Sequence, residues 1–220
     1  MVAGGTGTRM NTEVPKQFLL LAGEPVLMHT IRIFHLFDPG MALFVVLPQN
    51  QITCWEELCR KHSFFIHHRL VTGGESRFDS VKNALQQING EGLVAIHDGV
   101  RPLVSTETLK RTFEEAGKKG NAIPVIGVHE SIRETISGVN REITRGNLVI
   151  VQTPQVFRKE LIKKAYDSVL HGNFTDDATV LETLGEPIHL VEGNSENIKI
   201  TYLLDIRCAE AILGYSSSQD

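Results

Sequence analysis

Apolar and polar positions along this chain fall into alternating blocks. Ala42–Leu47 is an uninterrupted apolar run, the pattern of a strand buried on both faces. Gln51–His62 reads as a helix, Ile66–Val71 as a strand, and Ser76–Ile88 as a helix with Phe78, Val81, Ala84, Leu85 and Ile88 on one face. Leu93–Ile96 is another buried strand, Ser105–Lys119 another helix and Asn121–Val128 another strand. Strands alternating with helices predict an α/β fold: a mostly parallel, Rossmann-like sheet covered by helices on both faces.

The rhythm then changes. Residues 130–145 are polar, with Ile132, Ile136 and Ile143 spaced apart. They predict a two-stranded arm projecting from the sheet and turning near Gly138-Val139-Asn140. An isolated hairpin is marginal in water, so the arm is expected to pack on a partner subunit. Beyond it the pattern gives a short strand at Leu148–Gln152 and helices at Lys159–Leu170 and Asp177–Leu184. Strands follow near Ile188 and Ile198, with a last helix at Leu203–Leu213. No linker or repeat interrupts residues 1–220, which read as a single domain with the arm as an excursion.

Composition narrows the classes. The chain has 220 residues, enough for one sizeable core. Its net charge is −4 and its pI about 6.1, which argues against a nucleic-acid partner. Three cysteines, Cys54, Cys59 and Cys208, form no CxxC pair. That points away from a disulfide framework or a zinc site and toward a reducing cytoplasm. No apolar run reaches the roughly 18 residues of a membrane span.

The densest candidate chemistry lies at the start, in Ala3-Gly4-Gly5-Thr6-Gly7-Thr8-Arg9-Met10 with Lys16 beyond. Glycines let successive backbone N–H groups approach phosphate oxygens with no Cβ in the way. The loop is neither a P-loop nor Gly-x-Gly-x-x-Gly, because Met10 stands at the third glycine position. Alone it reads equally well as a glycine-rich turn carrying two solvated cations. Such a loop ordinarily follows a buried strand of about five residues, yet only Met1-Val2-Ala3 precede it. That predicts either an unusually short first strand or a natural chain extending further upstream; the second is the reading preferred here.

His97-Asp98, with His67-His68, raises a metal phosphohydrolase site. His97 closes a strand instead of lying on a helix, and adjacent residues on a strand point to opposite faces. These histidines therefore read as ordinary strand residues. Trp55 and Cys59, four apart on a helix, read as packing.

Taken jointly, the motifs carry more. Gly-Gly-x-Gly-x-Arg-Met with Pro15-Lys16-Gln17 resembles the signature of the sugar-nucleotide nucleotidyltransferases. Further stretches match in order: Gly73-Gly74-Glu75-Ser76-Arg77 with Asp79-Ser80-Val81, His97-Asp98-Gly99-Val100-Arg101-Pro102, Thr153-Pro154-Gln155-Val156-Phe157, Thr175-Asp176-Asp177-Ala178 and Glu196-Asn197-Ile198-Lys199-Ile200-Thr201. Together they span nearly the whole chain and resemble the 2-C-methyl-D-erythritol 4-phosphate cytidylyltransferase family.

The resemblance implies roles. Ala3, Gly4, Gly5, Thr6, Gly7 and Thr8 would cradle the triphosphate of CTP, with Arg9 and Lys16 supplying charge at the α-phosphate. Gly73, Gly74 and Ser80 would line the cytosine pocket. Asp98 would sit near metal, nucleotide and acceptor, and Arg101 near the acceptor. Arg145 and Lys199 would position the acceptor phosphate, helped by Thr175 and by Ser131 on the arm. The family commonly has threonine where Ser131 aligns. Each residue also has a plain structural reading: Asp98 or Thr175-Asp176 as caps, Arg145 and Lys199 as solvated cations.

The implied reaction transfers CMP from CTP to 2-C-methyl-D-erythritol 4-phosphate, releasing pyrophosphate. Mg²⁺ or another divalent ion would be held mainly by the CTP phosphates, with Asp98 as its protein contact. The family also implies a homodimer built through the arm. The rival acceptor is ribitol 5-phosphate, whose cytidylyltransferase shares the glycine loop and Thr-Pro-Gln. A rival of another class is a non-catalytic nucleotide-binding subunit.

Overall fold

The computed structural model describes residues 1–4, 14–169 and 174–216. A turn of 3-10 helix, Lys16–Phe18, leads into the hairpin of β1 (Leu20–Leu21) and β2 (Glu24–Pro25). Its two linking residues, Ala22 and Gly23, both have positive φ, as tight hairpin turns require. Next come α1 (Val26–Phe37), β3 (Phe44–Leu47), α2 (Gln49–Lys61), β4 (Arg69–Thr72), α3 (Arg77–Gln87) and β5 (Leu93–Ile96). After α4 (Thr106–Lys119) and β6 (Asn121–Gly127) the arm follows as β7 (Ile132–Ile136) and β8 (Val139–Ile143). The chain returns through β9 (Val149–Val151), β10 (Gln155–Arg158), α5 (Lys159–Ser168), α6 (Asp177–Glu182), β11 (Leu190–Glu192) and α7 (Leu203–Ser216).

The sheet runs β4-β3-Val2-β5-β10-β6-β11. Val2 joins its halves, bridging in parallel to Val46 on one side and Asp98 on the other. Four backbone bonds hold it there. Ala3 N donates to Val46 O and Val46 N to Met1 O, both at 2.9 Å. Val2 N donates to His97 O at 2.8 Å, and Gly99 N to Val2 O at 2.9 Å. The three residues ahead of the glycine loop thus occupy a central strand position. The sheet is parallel apart from β10, which runs antiparallel to both β5 and β6, and β9, which runs antiparallel to β6. The expected fold holds, with that exception in the middle.

Alternation along β5 sorts the core into two layers. Val94 and Ile96 face Phe78, Val81 and Leu85 of α3, Ile162 and Tyr166 of α5, and Leu181 of α6. Ala95 faces the other layer, with Leu27, Ile31 and Phe34 of α1, Trp55 of α2 and Leu109 of α4. Trp55 is fully buried and gives its indole N–H to His68 Nε2 at 2.9 Å, so its expected packing role is borne out.

Several expectations need correction. Helix α1 has no counterpart in the pattern reading, although Val26, Leu27, Met28, Ile31 and Phe34 are all buried. Strand β10 was seen only as a motif. The arm turns at Ser137-Gly138, with φ of 50° and 84°, one residue earlier than expected. The strand expected near Ile198 is an irregular segment whose backbone-to-backbone tie to the rest of the sheet region is Ile200 N to Val100 O at 2.9 Å. His67 and His68 lie just before β4 and not on a strand.

Candidate active site

Parallel strands end together on one side of this sheet, and open α/β sheets place their ligand crevice there. In this molecule the ends of the Val2 segment, β3, β4 and β5 surround a cavity of about 350 Å³. Its wall includes Ala3, Gly4, Lys16, Gly73, Gly74, Ser80, Asp98 and Lys199, all singled out by sequence, and also Glu75 and Arg77. Gly5, Thr6, Gly7, Thr8 and Arg9 lie outside the described residues.

One wall is the turn between β4 and α3. Ser76 caps α3 by accepting from Asp79 N at 3.1 Å, and Ser76 N donates back to the Asp79 carboxylate, completing a capping box. The turn folds so tightly onto the helix that a Cβ on Gly74 would sit 2.3 Å from Asp79 Cβ. Only glycine fits. Gly74 N donates to Ser80 Oγ at 3.1 Å, which fixes the serine against the loop.

The opposite wall is a charge cluster. Asp98 follows β5, and its Oδ2 receives Arg101 Nε at 3.1 Å and Lys199 Nζ at 3.0 Å. Lys199 arrives there because Ile200 is tied to Val100. Arg101 also donates to Asn197 O at 2.8 Å, locking the same segment. Burial alone would push the Asp98 carboxyl up. Lys199, Arg101 and Arg77 outweigh that and hold it well below the usual carboxylate range. Asp98 is therefore an anion throughout the neutral range.

Three assigned residues stand apart. Arg145 and Ser131 are exposed at the base of the arm, and the Arg145 guanidinium donates to His129 O. Thr175 is exposed just ahead of α6. None of the three lines the cavity of its own chain.

A pair within the quoted motifs received no role from sequence. Arg77 grips Asp177 with two bonds, Nη1 to Oδ1 at 2.9 Å and Nη2 to Oδ2 at 2.6 Å. Asp177 is fully buried, and Tyr166 OH donates to it at 2.6 Å. The neighbouring Asp176 caps α6 through Thr179 N at 3.0 Å. Two adjacent acids at a helix start were the available signal: one serves as the cap, and the other, if buried, needs a cation.

No group of three or more metal-ligating side chains occurs among the described residues. The donors present therefore do not form a full protein cage. One well-ionised carboxylate, Asp98, on a cavity wall that also carries Lys16 and Lys199 does fit a Mg²⁺ ion that takes most of its ligands from phosphate and water.

The family described as 2-C-methyl-D-erythritol 4-phosphate cytidylyltransferase matches the chain over residues 1–215. The chain belongs to this family. It is 50% identical over 213 residues to the 2-C-methyl-D-erythritol 4-phosphate cytidylyltransferase of Bacteroides fragilis, with 97% of each chain covered. Its identity to the Porphyromonas gingivalis enzyme is 47% over 215 residues, covering 97% of this chain and 96% of that one. Among solved structures, the Thermus thermophilus cytidylyltransferase superposes with a TM-score of 0.79 at 28% identity, covering 97% of this chain and 96% of that one. The bifunctional IspDF of Campylobacter jejuni gives a TM-score of 0.79 at 30% identity, covering 94% of this chain; the chain spans about half of that protein, 52%. Among the described residues no helix is long and apolar enough to cross a membrane.

Proposed function

We propose that this chain transfers CMP from CTP to 2-C-methyl-D-erythritol 4-phosphate, a step toward isoprenoid precursors, with the cavity between the β4–α3 turn and the Asp98 cluster as its active site. The products are 4-diphosphocytidyl-2-C-methyl-D-erythritol and pyrophosphate. The observation that carries the assignment of the site is the meeting of Gly73, Gly74 and Ser80 with Lys16, Asp98 and Lys199 around one cavity. The glycine turn offers backbone groups to the edge of a base. The opposite wall offers cations to phosphates.

The acceptor phosphate is already an anion, so attack on the α-phosphorus requires no general base. The obstacle is bringing two polyanions together, and catalysis becomes positioning plus electrostatic stabilisation. Lys16 faces the triphosphate from the cavity wall; Arg9, which lies outside the described residues, is assigned to the same phosphates by the family motif alone. Lys199 stabilises the charge at the meeting point, and Asp98 holds Lys199 and Arg101 in place through Oδ2. Asp98 would be the protein carboxylate that holds a phosphate-bound divalent ion. That ion, when bound, neutralises charge on the triphosphate.

Arg145 and Ser131, remote from their own cavity, act in the second half of this reading. The arm of one subunit reaches a partner's cavity in a homodimer, and Arg145 positions the acceptor phosphate there beside the partner's Arg101. Exposed Val149, Ile150 and Val151 on β9, with Ile136 and Val139 on the arm, give that contact an apolar surface. Thr175, exposed just ahead of α6, is the remaining residue that this reading assigns to the acceptor.

The test is pyrophosphate release from CTP with each acceptor supplied separately. Turnover with 2-C-methyl-D-erythritol 4-phosphate that exceeds turnover with ribitol 5-phosphate is the expected result. The reverse order would replace the acceptor. CTP binding with no release from either would make the chain a nucleotide-binding subunit.

A further inference from the structure

His97 and Thr153 lie behind the Asp98 cluster, and neither lines the substrate cavity. Both are buried, His97 fully. Thr153 Oγ1 lies 3.0 Å from His97 Nδ1 and accepts from Asp98 N at 3.1 Å. The other ring nitrogen, His97 Nε2, lies 3.0 Å from Arg101 O. Only one direction of donation satisfies all three contacts. A carbonyl oxygen accepts and never donates, so Nε2 carries the ring proton. The enclosed ring is neutral, so Nδ1 is bare and accepts from the threonine hydroxyl. That hydroxyl, having spent its one proton, is free to accept from Asp98 N–H.

The chain of bonds therefore begins at the first residue of the Asp98–Arg101 turn and ends at its last. The turn closes on itself with Arg101 N donating to Asp98 O at 3.1 Å. Its two ends are the residues whose side chains form the charge cluster with Lys199. The clamp extends to the Lys199 segment as well. Asn197 Nδ2 donates to Thr153 O at 2.9 Å, and Asn197 O receives Arg101. Phe34 packs on the imidazole from the α1 side, with ring centroids 4.8 Å apart and planes tilted by 55°.

We propose that His97 and Thr153 are positioning residues for the acceptor half of the site, clamping both ends of the Asp98–Arg101 turn so that Asp98, Arg101 and Lys199 keep one mutual geometry. The inference rests on the functional reading above. The cytosine side, built from Gly73, Gly74 and Ser80, hangs from a different turn and does not depend on the clamp.

The experiment compares Thr153→Val, which keeps the shape and removes the hydroxyl, with Thr153→Ser, which keeps the hydroxyl. A lost buried hydrogen bond is worth about one decade in an equilibrium constant. Thr153→Val is expected to raise the acceptor KM about tenfold while the CTP KM stays within about twofold, and Thr153→Ser is expected to restore the acceptor KM. Equal loss toward both substrates with a lowered Tm, or wild-type constants in Thr153→Val, overturns the clamp. A second readout does not involve activity. Long-range proton–nitrogen NMR of the His97 ring should show the Nε2–H tautomer, with the Nδ1 resonance moving toward that of an unbonded nitrogen in Thr153→Val. A ring protonated at Nδ1 overturns the proposal. If wild-type protein turns over neither acceptor, the functional reading fails and the ring tautomer alone decides the clamp.

Discussion

Asp177 and Arg77 show what single residues contribute here. A fully buried carboxylate is tolerated because a guanidinium meets it with two bonds and a phenol with a third. Removing the cation leaves a buried charge unpaired, which typically costs about 3–5 kcal/mol. Arg77→Met should therefore lower the urea midpoint strongly, and an unchanged midpoint would show that water or another cation replaces the guanidinium. Lys16 lines the cavity, and the proposed function gives it a part in the chemistry. Lys16→Ala should reduce kcat by about 10²-fold or more, the scale of one preorganised charge contact, with stability near wild type. A loss below about threefold would remove Lys16 from the mechanism. Sequence exposed both ends of this contrast unequally. Asp98 and the glycine turn were legible because motif and strand end coincide, and Lys199 through its motif alone. The Arg77–Asp177 pair was not, since charged residues are ordinarily solvated and nothing local marks Asp177 as buried.

Elements followed a similar division. Strands with unbroken apolar runs, such as β5 and β6, were legible within a residue or two. Strand β10 was not, because it opens with Gln155, a residue unlike a central strand. Its side chain is used inside the fold: Gln155 Oε1 accepts from Asp177 N and Ala178 N, each at 2.9 Å, and so holds the start of α6. Helix α1 was not legible because Gly23 and Pro25 of the hairpin interrupt the pattern directly ahead of it. The arm was legible as a polar hairpin, and its role is testable as an element. Deleting Ser131–Thr144 should give a monomer by light scattering and a raised acceptor KM. A deletion variant that stays dimeric would place the subunit contact elsewhere.

The whole molecule carries a pH dependence set by what it buries. Burial pushes His97 down from 6.5 to about 3. The unfolded chain then binds a proton that the folded one refuses, between about pH 6.5 and about pH 3. Stability conferred by the neutral ring is complete above the upper value and lost as pH falls toward the lower one, by at most about 1.4 kcal/mol per pH unit. Asp98, held below its usual range, adds a loss of the same sign at still lower pH. Urea unfolding followed from neutral pH to about pH 4 should show falling stability, with a shallower slope in His97→Phe. A slope that is the same in both proteins would remove His97 from the effect.

Strand β10 sets the order in which this molecule can be finished. It lies between β5 and β6, yet it is synthesised after both, and after the arm. A growing chain on the ribosome that has released β5 and β6 holds two hydrogen-bonding edges with nothing between them. The centre of the sheet is sealed only when the Gln155–Arg158 segment emerges and inserts antiparallel between them. Until then the nascent protein presents unpaired strand edges, the feature that invites pairing with other chains. The Thr153–Gln155 stretch, proposed above to steady the acceptor side of the site, therefore also leads in the strand that ends this interval of unpaired edges.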